Sequence, residues 1–154
     1  MILAKTRPGF TLMEVLITLT AASILMSMAS VSAAGLRHQS EVRGSSYRYV
    51  AKHSLARAVA VRMGRTAQLR TDQAGRRVWI EVQRTGSTQR DTIGGVEYFD
   101  SRIGFSSSRT VLCFDGRGLA KTGGGCGAPD VTVVFSLAGR ADTVRTSAIG
   151  RVIR

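Results

Sequence analysis

An uncharged, largely apolar stretch from Val15 to Ala34 constrains the fold more than any other feature of the sequence. It contains 20 residues, VLITLTAASILMSMASVSAA. As a helix it would span about 30 Å, which matches the hydrocarbon thickness of a bilayer. The segment from Met1 to Gly9 carries Lys5 and Arg7 and no acid, so the positive-inside rule places it in the cytoplasm. The sequence predicts a membrane-inserted helix near the amino terminus.

The composition of this stretch leaves two interpretations open, a cleaved secretory signal peptide and a retained anchor. The small residues of Val31-Ser32-Ala33 suit signal peptidase, but the stretch exceeds the usual apolar region of about 7–15 residues. Glu14 lies just before the stretch and has no role in a discarded leader. Because a carboxylate in lipid is costly unless it is paired, Glu14 is a candidate functional residue.

The string from Arg7 to Ile17, RPGFTLMEVLI, resembles the class III signal of type IV prepilins and type II secretion pseudopilins. In those families a basic leader ends in Gly, Phe usually follows, and Glu occupies the fifth mature position. The resemblance implies that a prepilin peptidase cleaves between Gly9 and Phe10 and that the new amino terminus of Phe10 is methylated. It also implies that Glu14 acts in assembly, where its carboxylate neutralises the amino terminus of a neighbouring subunit in the apolar filament core.

After the uncharged stretch the sequence becomes amphipathic. Apolar side chains recur at helical spacing up to Met63, and Arg37 and Glu41 form an i,i+4 pair on the polar face. Gly64 follows the last apolar position and predicts the end of the helix. A continuous helix from Phe10 to Met63 would be about 80 Å long, so its first half requires lipid or other subunits around it.

The remainder of the sequence predicts strands separated by turns. The turns are expected at Gly94-Gly95 and at Gly123 to Gly125. Runs of β-branched and aromatic residues predict strands at 78–82, 110–114 and 131–135, and a closing hairpin or edge strands at 142–146 and 147–153.

The predicted fold class is α+β: a long N-terminal helix, transmembrane in its first half, packs on a small antiparallel β-sheet head. The expected organisation is a removed cytoplasmic leader (1–9), a transmembrane or filament-core half of the helix (10–34), an amphipathic distal half (35–65) and a β-rich head (66–154).

Two C-terminal motifs indicate which branch of these families the sequence resembles. Phe114-Asp115-Gly116-Arg117-Gly118 and the terminal segment from Ile149 to Arg154 are similar to the GspH/FimT branch of minor pseudopilins and minor pilins. Members of that branch often carry a Phe-Asp-x-x-Gly stretch and end on a β segment rich in Gly and Arg. Residues 85–108 carry no part of the resemblance.

Cys113 and Cys126 lie 13 positions apart on either side of a glycine-rich turn. In an exported head we expect a disulfide, which would contribute about 3 kcal/mol by closing a loop of this size. Two free thiols are the alternative. Major type IVa pilins also commonly close a C-terminal loop with a disulfide, so the cysteines do not separate the branches.

The sequence lacks the motifs of common enzyme classes. Ala120 stands where a phosphate-binding loop requires the glycine before Lys121, and no Gly-x-Ser-x-Gly motif occurs. His38 and His53 lie 15 positions apart on the predicted helix, where we expect both to be solvated rather than to share a metal. The sequence therefore predicts a structural subunit with no catalytic role, cofactor or metal.

The chain has 22 cationic and 10 acidic residues, a net charge of +12, which favours anionic partners. Some FimT-like minor pilins are implicated in DNA uptake through an Arg-bearing C-terminal segment. This sequence has one residue more between its terminal arginines than the Gly-Arg-x-Arg pattern, and a solvated basic face is the alternative. The resemblance makes four arginines candidate DNA contacts: Arg140, Arg145, Arg151 and Arg154.

The resemblance implies a minor pseudopilin of a type II secretion system, with a structural role in protein export across the outer membrane. The expected location is the bacterial inner membrane, crossed once, with the head in the periplasm. The expected partners are the prepilin peptidase and other pseudopilins or pilins of the filament. The alternatives are a FimT-like minor type IV pilin that binds extracellular DNA during uptake, and an exported basic adhesin domain with an ordinary signal peptide.

Overall fold

Helix α1, Leu12–Met63, is the first element of the chain and contains 52 residues. The computed structural model describes residues 9–153, except for the side chains of residues 28–34. The chain forms two compact units, one ending at Arg37 and one beginning at His38, and α1 contributes residues to both. The helix predicted from Phe10 to Met63 is confirmed, with its start two residues later.

A side chain caps the start of α1. The Thr11 hydroxyl oxygen accepts the backbone N–H of Glu14 at 3.2 Å, and Glu14 is the acidic residue of the first turn. Thr-x-x-Glu at a helix start is the sequence of a capping box, and an acid in the first turn interacts favourably with the helix dipole. Thr11 is therefore the N-cap residue of α1.

The end of α1 is set by Gly64, as predicted. Gly64 has a φ of 60°, which favours glycine because a side chain would be strained there. Its N–H donates to the carbonyl oxygen of Val61 at 3.2 Å, and the N–H of Arg65 donates to that of Ala60 at 3.2 Å. This pair of hydrogen bonds is a Schellman motif, which satisfies carbonyl groups that the helix leaves unpaired.

Residues 66–153 contain nine β-strands in two antiparallel sheets. The strands are β1 (Ala67–Asp72), β2 (Arg77–Gln83), β3 (Arg90–Tyr98), β4 (Gly104–Ser107), β5 (Val111–Phe114), β6 (Ala120–Lys121), β7 (Val131–Leu137), β8 (Arg140–Thr146) and β9 (Val152–Ile153). The first sheet has the order β3-β2-β1-β5-β6 and the second has the order β4-β7-β8-β9. The α+β class with an antiparallel head is confirmed, but with two sheets instead of one.

The predicted strands 78–82, 110–114, 131–135 and 142–146 correspond to β2, β5, β7 and β8. The segment 147–153 is extended only at its end. The N–H of Ser147 donates to the carbonyl oxygen of Arg151 at 2.8 Å, which closes a turn, and only β9 then pairs with β8. Strands β1, β3, β4 and β6 were not predicted from the sequence.

The Gly94-Gly95 pair lies inside β3, so the predicted turn there is wrong. The pairing of β2 with β3 shifts register between Val78 and Ile80, which makes β3 bulge at the glycines. Their φ values are 72° and 69°. The Lys52 ammonium on α1 donates to the carbonyl oxygens of Gly94 and Gly95 at 2.6 and 3.1 Å, and these hydrogen bonds hold the bulge.

The core of the second unit joins α1 to both sheets. The Tyr49 ring lies 6.2 Å from that of Phe135 in β7, and the His53 ring meets that of Phe114 in β5 edge-on at 5.0 Å. One face of α1 is buried at near-heptad spacing, as its apolar pattern predicts. That face includes Val42, Tyr49, Ala56 and Ala60.

Across the residues whose side chains are described, no helix carries an apolar stretch long enough to cross a membrane. The predicted transmembrane segment, residues 10–34, includes residues 28–34, whose side chains lie outside that description. The transmembrane assignment therefore stays a prediction.

Candidate functional site

The residues of the predicted processing and assembly site lie at the start of α1. Phe10 is 81% exposed, and Gly9 and Glu14 are exposed as well. A Cβ added at Gly9 would meet nothing within 4 Å. The leader residues 1–8 lie outside the described residues, and cleavage, methylation and the role of Glu14 stay predictions.

The first turns of α1 present a surface suited to apolar surroundings. Large apolar side chains are exposed at several positions of the first unit, among them Leu12, Leu16, Ile17, Leu25 and Met26. The hydroxyl groups on this stretch donate to carbonyl oxygens of the preceding turn of α1, at distances of 2.7 to 2.9 Å, and they belong to Thr18, Thr20, Ser23 and Ser27. Because these donors are satisfied within the helix, they add little cost when the surface leaves water.

The Phe-Asp-Gly-Arg-Gly motif forms the end of β5 and the loop to β6. The Asp115 carboxylate accepts the backbone N–H groups of Leu119 and Arg117, both at 2.9 Å. These hydrogen bonds, chiefly that from Leu119, hold the pKa of Asp115 below its usual value. The N–H of Gly118 donates to the carbonyl oxygen of Asp115 at 2.8 Å. The aspartate therefore fixes the loop, and its role in the motif is structural.

The glycines of this motif allow the loop to lie directly on the end of α1. A Cβ added at Gly116 would lie 2.9 Å from the carbonyl carbon of Gly64, and one at Gly118 would lie 2.9 Å from Cγ2 of Val61. Real Cβ atoms essentially never approach other atoms this closely. In the sequence these glycines stand out only as part of a family motif, and no local pattern predicts their contact with the helix end.

The terminal Gly-Arg motif contacts the Phe-Asp-Gly-Arg-Gly motif. Gly150 is buried and lies against the ring of Phe114 and the backbone of Ala120. The two C-terminal motifs therefore meet, at a junction between the β5–β6 hairpin and the turn before β9.

Cys113 and Cys126 form a disulfide, with their Cα atoms 5.6 Å apart, so the free-thiol alternative is wrong. Cys113 lies in β5 and is fully buried. Gly123, Gly124 and Gly125 precede Cys126, all with positive φ, and they make the predicted turn.

Of the candidate DNA-contacting arginines that the structure describes, Arg140 lies apart from Arg145 and Arg151. Asp142 of β8 accepts a hydrogen bond from Ser46 on α1, so the even-numbered side chains of β8, including Arg140, lie on the helix side of the sheet. Arg145 is odd-numbered and lies on the opposite face, about 17 Å along the strand from Arg140. Arg151 lies in the turn before β9, near Arg145. Arg154 lies outside the described residues.

Most arginines of the strands have acidic partners. Arg70 and Arg90 both lie within 4 Å of Glu81. Further ion pairs join Arg48 to Glu97, Arg77 to Asp72, Arg84 to Asp91, and Arg102 to both Glu41 and Asp100. The basic region around the first strands is thus partly neutralised within the chain.

The expectation that both histidines are solvated is wrong for His53, which is 3% exposed. Burial, with a smaller effect from the Arg57 charge, lowers the pKa of His53 to about 4. Its Nε2 atom has no hydrogen-bond partner. Among the described residues no group of His, Cys, Asp and Glu side chains is arranged to hold a metal ion.

A long N-terminal helix that packs on two antiparallel sheets is a pilin-like fold. Residues 5–30 match the family model described as the prokaryotic N-terminal methylation motif. No curated protein sequence matches the chain at a significant level.

Solved structures of minor pilins and pseudopilins share the fold. The type IV minor pilin FimU of Pseudomonas aeruginosa matches with a TM-score of 0.57 and 18% identity, covering 74% of this chain and 87% of FimU. The minor pseudopilin EpsH from the type 2 secretion system of Vibrio cholerae matches with a TM-score of 0.56 and 14% identity, covering 73% of this chain and 94% of EpsH. The chain thus carries the prepilin methylation motif on a minor-pilin fold.

Proposed function

We propose that this chain is a minor pseudopilin of a type II secretion system, a structural subunit of a short periplasmic filament that acts in protein export. Its head would lie in the periplasm and its first helical segment, residues 10–34, would anchor it in the inner membrane before assembly. The proposed role is architectural and involves no catalytic residue or cofactor.

The observation that carries this proposal is the arrangement at the start of α1. The methylation motif covers the point where a capped helix begins. The exposed apolar side chains that follow, from Phe10 to Met26, need either lipid or neighbouring subunits to cover them. A pilin subunit has both environments in turn, the membrane before assembly and the filament core after it.

The proposed chemistry at this site is cleavage and methylation. Prepilin peptidase would hydrolyse the peptide bond between Gly9 and Phe10, which releases the basic leader and leaves a free amine on Phe10. Methylation of that amine and its pairing with the carboxylate of Glu14 on a neighbouring subunit would follow. Pairing lowers the cost of placing either charge in an apolar environment.

Intact-mass analysis of the protein from the membrane fraction tests the processing step. The expected mature chain begins at Phe10 and carries one added methyl group. A mature terminus near Ala34 would show an ordinary signal peptide and would overturn the pilin interpretation.

A minor type IV pilin is the second candidate, and the likeness to FimU supports it. The two candidates differ in the phenotype of a deletion strain. Loss of secreted enzymes from the medium, with pili and DNA uptake intact, is expected for a pseudopilin. Loss of pili or of transformation with normal secretion would favour the type IV pilin, including its DNA-binding form.

A further inference from the structure

A small cavity lies on the first sheet, beside the glycine-rich turn before Cys126. We call it the loop–sheet pocket and define it by Gln68, Gln83, Arg90 and Lys121, which line it together with residues of the turn. Its volume is about 120 Å³, below the range of about 300–1,000 Å³ that is typical of sites for drug-sized ligands. The pocket therefore has room for one small chemical group.

The strand register places Gln68 and Lys121 on the same face of the first sheet. Gln68 in β1 is paired with Cys113 in β5, and Cys113 is paired with Lys121 in β6. Paired residues lie on the same face, whereas neighbours along a strand lie on opposite faces. Thr71 in β1 shares a hydrogen bond with Tyr49 of α1, so the odd-numbered residues of β1 face the helix. Gln68 and Lys121 therefore lie on the face away from α1.

The disulfide holds the glycine-rich turn against this face. Because Cys113 lies on the same face as its paired residues, its bond to Cys126 keeps the turn there, and residues 123–124, both glycine, line the pocket. Gln83 and Arg90 are paired with each other in β2 and β3 and line its other side. The pocket is thus enclosed by a sheet and a cross-linked turn, so its shape is fixed by the fold.

Gln68 carries a hydrogen-bond donor that has no protein partner. The residue is 5% exposed, and its Oε1 accepts a hydrogen bond from the guanidinium group of Arg90. Because a guanidinium group only donates, the other terminal atom of Gln68 is the amide nitrogen. This nitrogen donates to no group among the described residues, and it is not sealed from solvent. The unused donor of an otherwise buried side chain therefore opens on the pocket that Gln68 lines.

Lys121 is a cation at the edge of the pocket. It is exposed, and within the described part of the chain its ammonium group makes no hydrogen bond and has no carboxylate within 4.0 Å. The pKa of Asp115 is lowered mainly by the N–H of Leu119 and only slightly by the charge of Lys121, so Asp115 is not an ion-pair partner of this lysine. The ammonium group can therefore pair with an anion in the pocket.

Arg90 is the second cation, and none of the described residues that line the pocket is acidic. Its guanidinium group lies 3.7 Å from the carboxylate of Glu81. That carboxylate makes closer contacts with Arg70 at 2.9 Å and with the indole N–H of Trp79 at 2.7 Å. Because the charge of Arg70 offsets that of Glu81, Arg90 and Lys121 leave the pocket with excess positive charge.

We propose that the loop–sheet pocket binds one oxyanion group, a carboxylate or a phosphate, which accepts a hydrogen bond from the Gln68 amide and pairs with Arg90 and Lys121. Hydrogen bonds to an ionised acceptor are shorter and stronger than those between neutral groups. A neutral ligand would satisfy the amide but would leave both cations without a counter-charge. The site shares no residue with the processing and assembly site at the start of α1, so this inference does not depend on the proposed function.

Titration of the full chain in a non-ionic detergent tests the proposal. The probes are sodium phosphate and sodium acetate, each added at a constant ionic strength of about 150 mM so that general screening does not change. The backbone NMR signals of Gly123 and Gly124 give the Kd of each anion. The side-chain amide signals of Gln68 show whether the anion binds at the unused donor.

Two variants change the pocket, and each has a matched control on α1. Lys121→Gln removes one positive charge, and its control is Arg62→Gln, because Arg62 is exposed and lies outside the pocket. Gln68→Glu keeps an oxygen for Arg90 and replaces the donor with a negative charge. Its control is Gln39→Glu, which adds the same charge outside the pocket.

We expect at least one of the two anions to shift these signals to saturation with a Kd below about 10 mM, and the Gln68 amide to shift with them. Lys121→Gln should raise this Kd by at least about fivefold, Gln68→Glu should abolish saturation, and both controls should stay within about twofold. The anion with the lower Kd identifies the bound group as a carboxylate or a phosphate. The proposal is overturned if neither anion reaches saturation, if the Gln68 amide does not shift, or if the controls weaken binding as much as the pocket variants.

Discussion

Gly150 and Phe114 are in direct contact although 36 positions separate them. A Cβ added at Gly150 would lie 2.9 Å from Cε1 of the Phe114 ring and 3.1 Å from Cβ of Ala120. Gly150 also has a φ of 79°, which strains any residue with a side chain. This contact holds the turn before β9 against the β5–β6 hairpin, so the terminal Gly-Arg motif begins with a packing residue.

We expect Gly150→Ala to lower the free energy of unfolding by about 2–4 kcal/mol, since it adds overpacking to backbone strain. Urea unfolding of the full chain in mild detergent, followed by Trp79 fluorescence, measures the change. The control is Gly139→Ala, because Gly139 has a φ of 76° and nothing within 4 Å of an added Cβ. An equal loss in both variants would show that contact with Phe114 adds nothing beyond the strain.

The buried His53 should make the stability of the head depend on pH. Its pKa is lowered from 6.5 to about 4, so the unfolded chain binds a proton more readily than the folded chain. The free energy of unfolding should be at its full value above pH 6.5 and should fall by up to about 3 kcal/mol as the pH decreases towards 4.

His53→Phe should remove this part of the pH dependence. A phenylalanine ring can keep the edge-on contact with Phe114, and Nε2 has no hydrogen bond to lose. Unfolding midpoints in urea at pH 7 and pH 5 provide the comparison, and His38→Gln is the control that should keep the pH dependence. If His53→Phe keeps the same slope, other groups carry the acid sensitivity.

The sequence specified the helix far better than it specified the sheets. A stretch of 52 helical residues leaves a long periodic signal, and Gly64 marks its end by its own conformational preference. β3 gave no such signal, because it is an edge strand with a bulge at Gly94-Gly95 and has few buried side chains. Local patterns carry little information about such a strand, since Lys52 on α1 holds its bulge from outside the sheet.

The candidate site was predictable where it depends on consecutive residues. Gly9, Phe10 and Glu14 form one short string, whereas the contact of Gly150 with Phe114 and of Gly116 with Gly64 depends on tertiary packing. The burial of His53 was missed for the same reason, because its environment comes from β5 and not from α1. The capping role of Thr11 was an avoidable omission, since Thr-x-x-Glu is itself a sequence signal.

The disulfide between Cys113 and Cys126 should contribute about 3 kcal/mol to the free energy of unfolding, because it closes a loop of 13 residues in the unfolded chain. Dithiothreitol should shift the urea midpoint of the unmodified protein down. Cys126→Ser should start at the lower midpoint and show no further change with the reductant. Equal midpoints with and without reductant would contradict a stabilising role for the bond.

Glu14 and Thr11 can be separated by substitution, although they share one capping interaction. Glu14→Gln removes the charge and keeps a residue that suits a capping box, whereas Thr11→Ala removes the cap at a cost of about 1 kcal/mol. We expect Glu14→Gln to be cleaved and membrane-inserted but absent from chemically cross-linked filament complexes, as measured by immunoblotting. Thr11→Ala should assemble. If Thr11→Ala assembles poorly while Glu14→Gln assembles, then Glu14 acts through the capped start of the helix. It would not act by pairing with the charged amino terminus of a neighbouring subunit.

The separation of Arg140 from Arg145 and Arg151 leads to a prediction about DNA. With a net charge of +12, the full chain should retain a DNA duplex at low salt through phosphate contacts, without sequence preference and with a steep loss as salt increases. A dedicated tail site would make Arg145→Gln with Arg151→Gln far more damaging than the same change at two exposed arginines elsewhere, Arg62 and Arg109. We expect both pairs to lower retention equally, each reducing the slope of log K against log salt by about two, because Arg140 lies on the opposite face of β8 and completes no tail site with Arg145 and Arg151. Retention that persists at 150 mM salt and depends only on the tail pair would instead support the DNA-binding minor pilin, with its contact surface at the turn before β9.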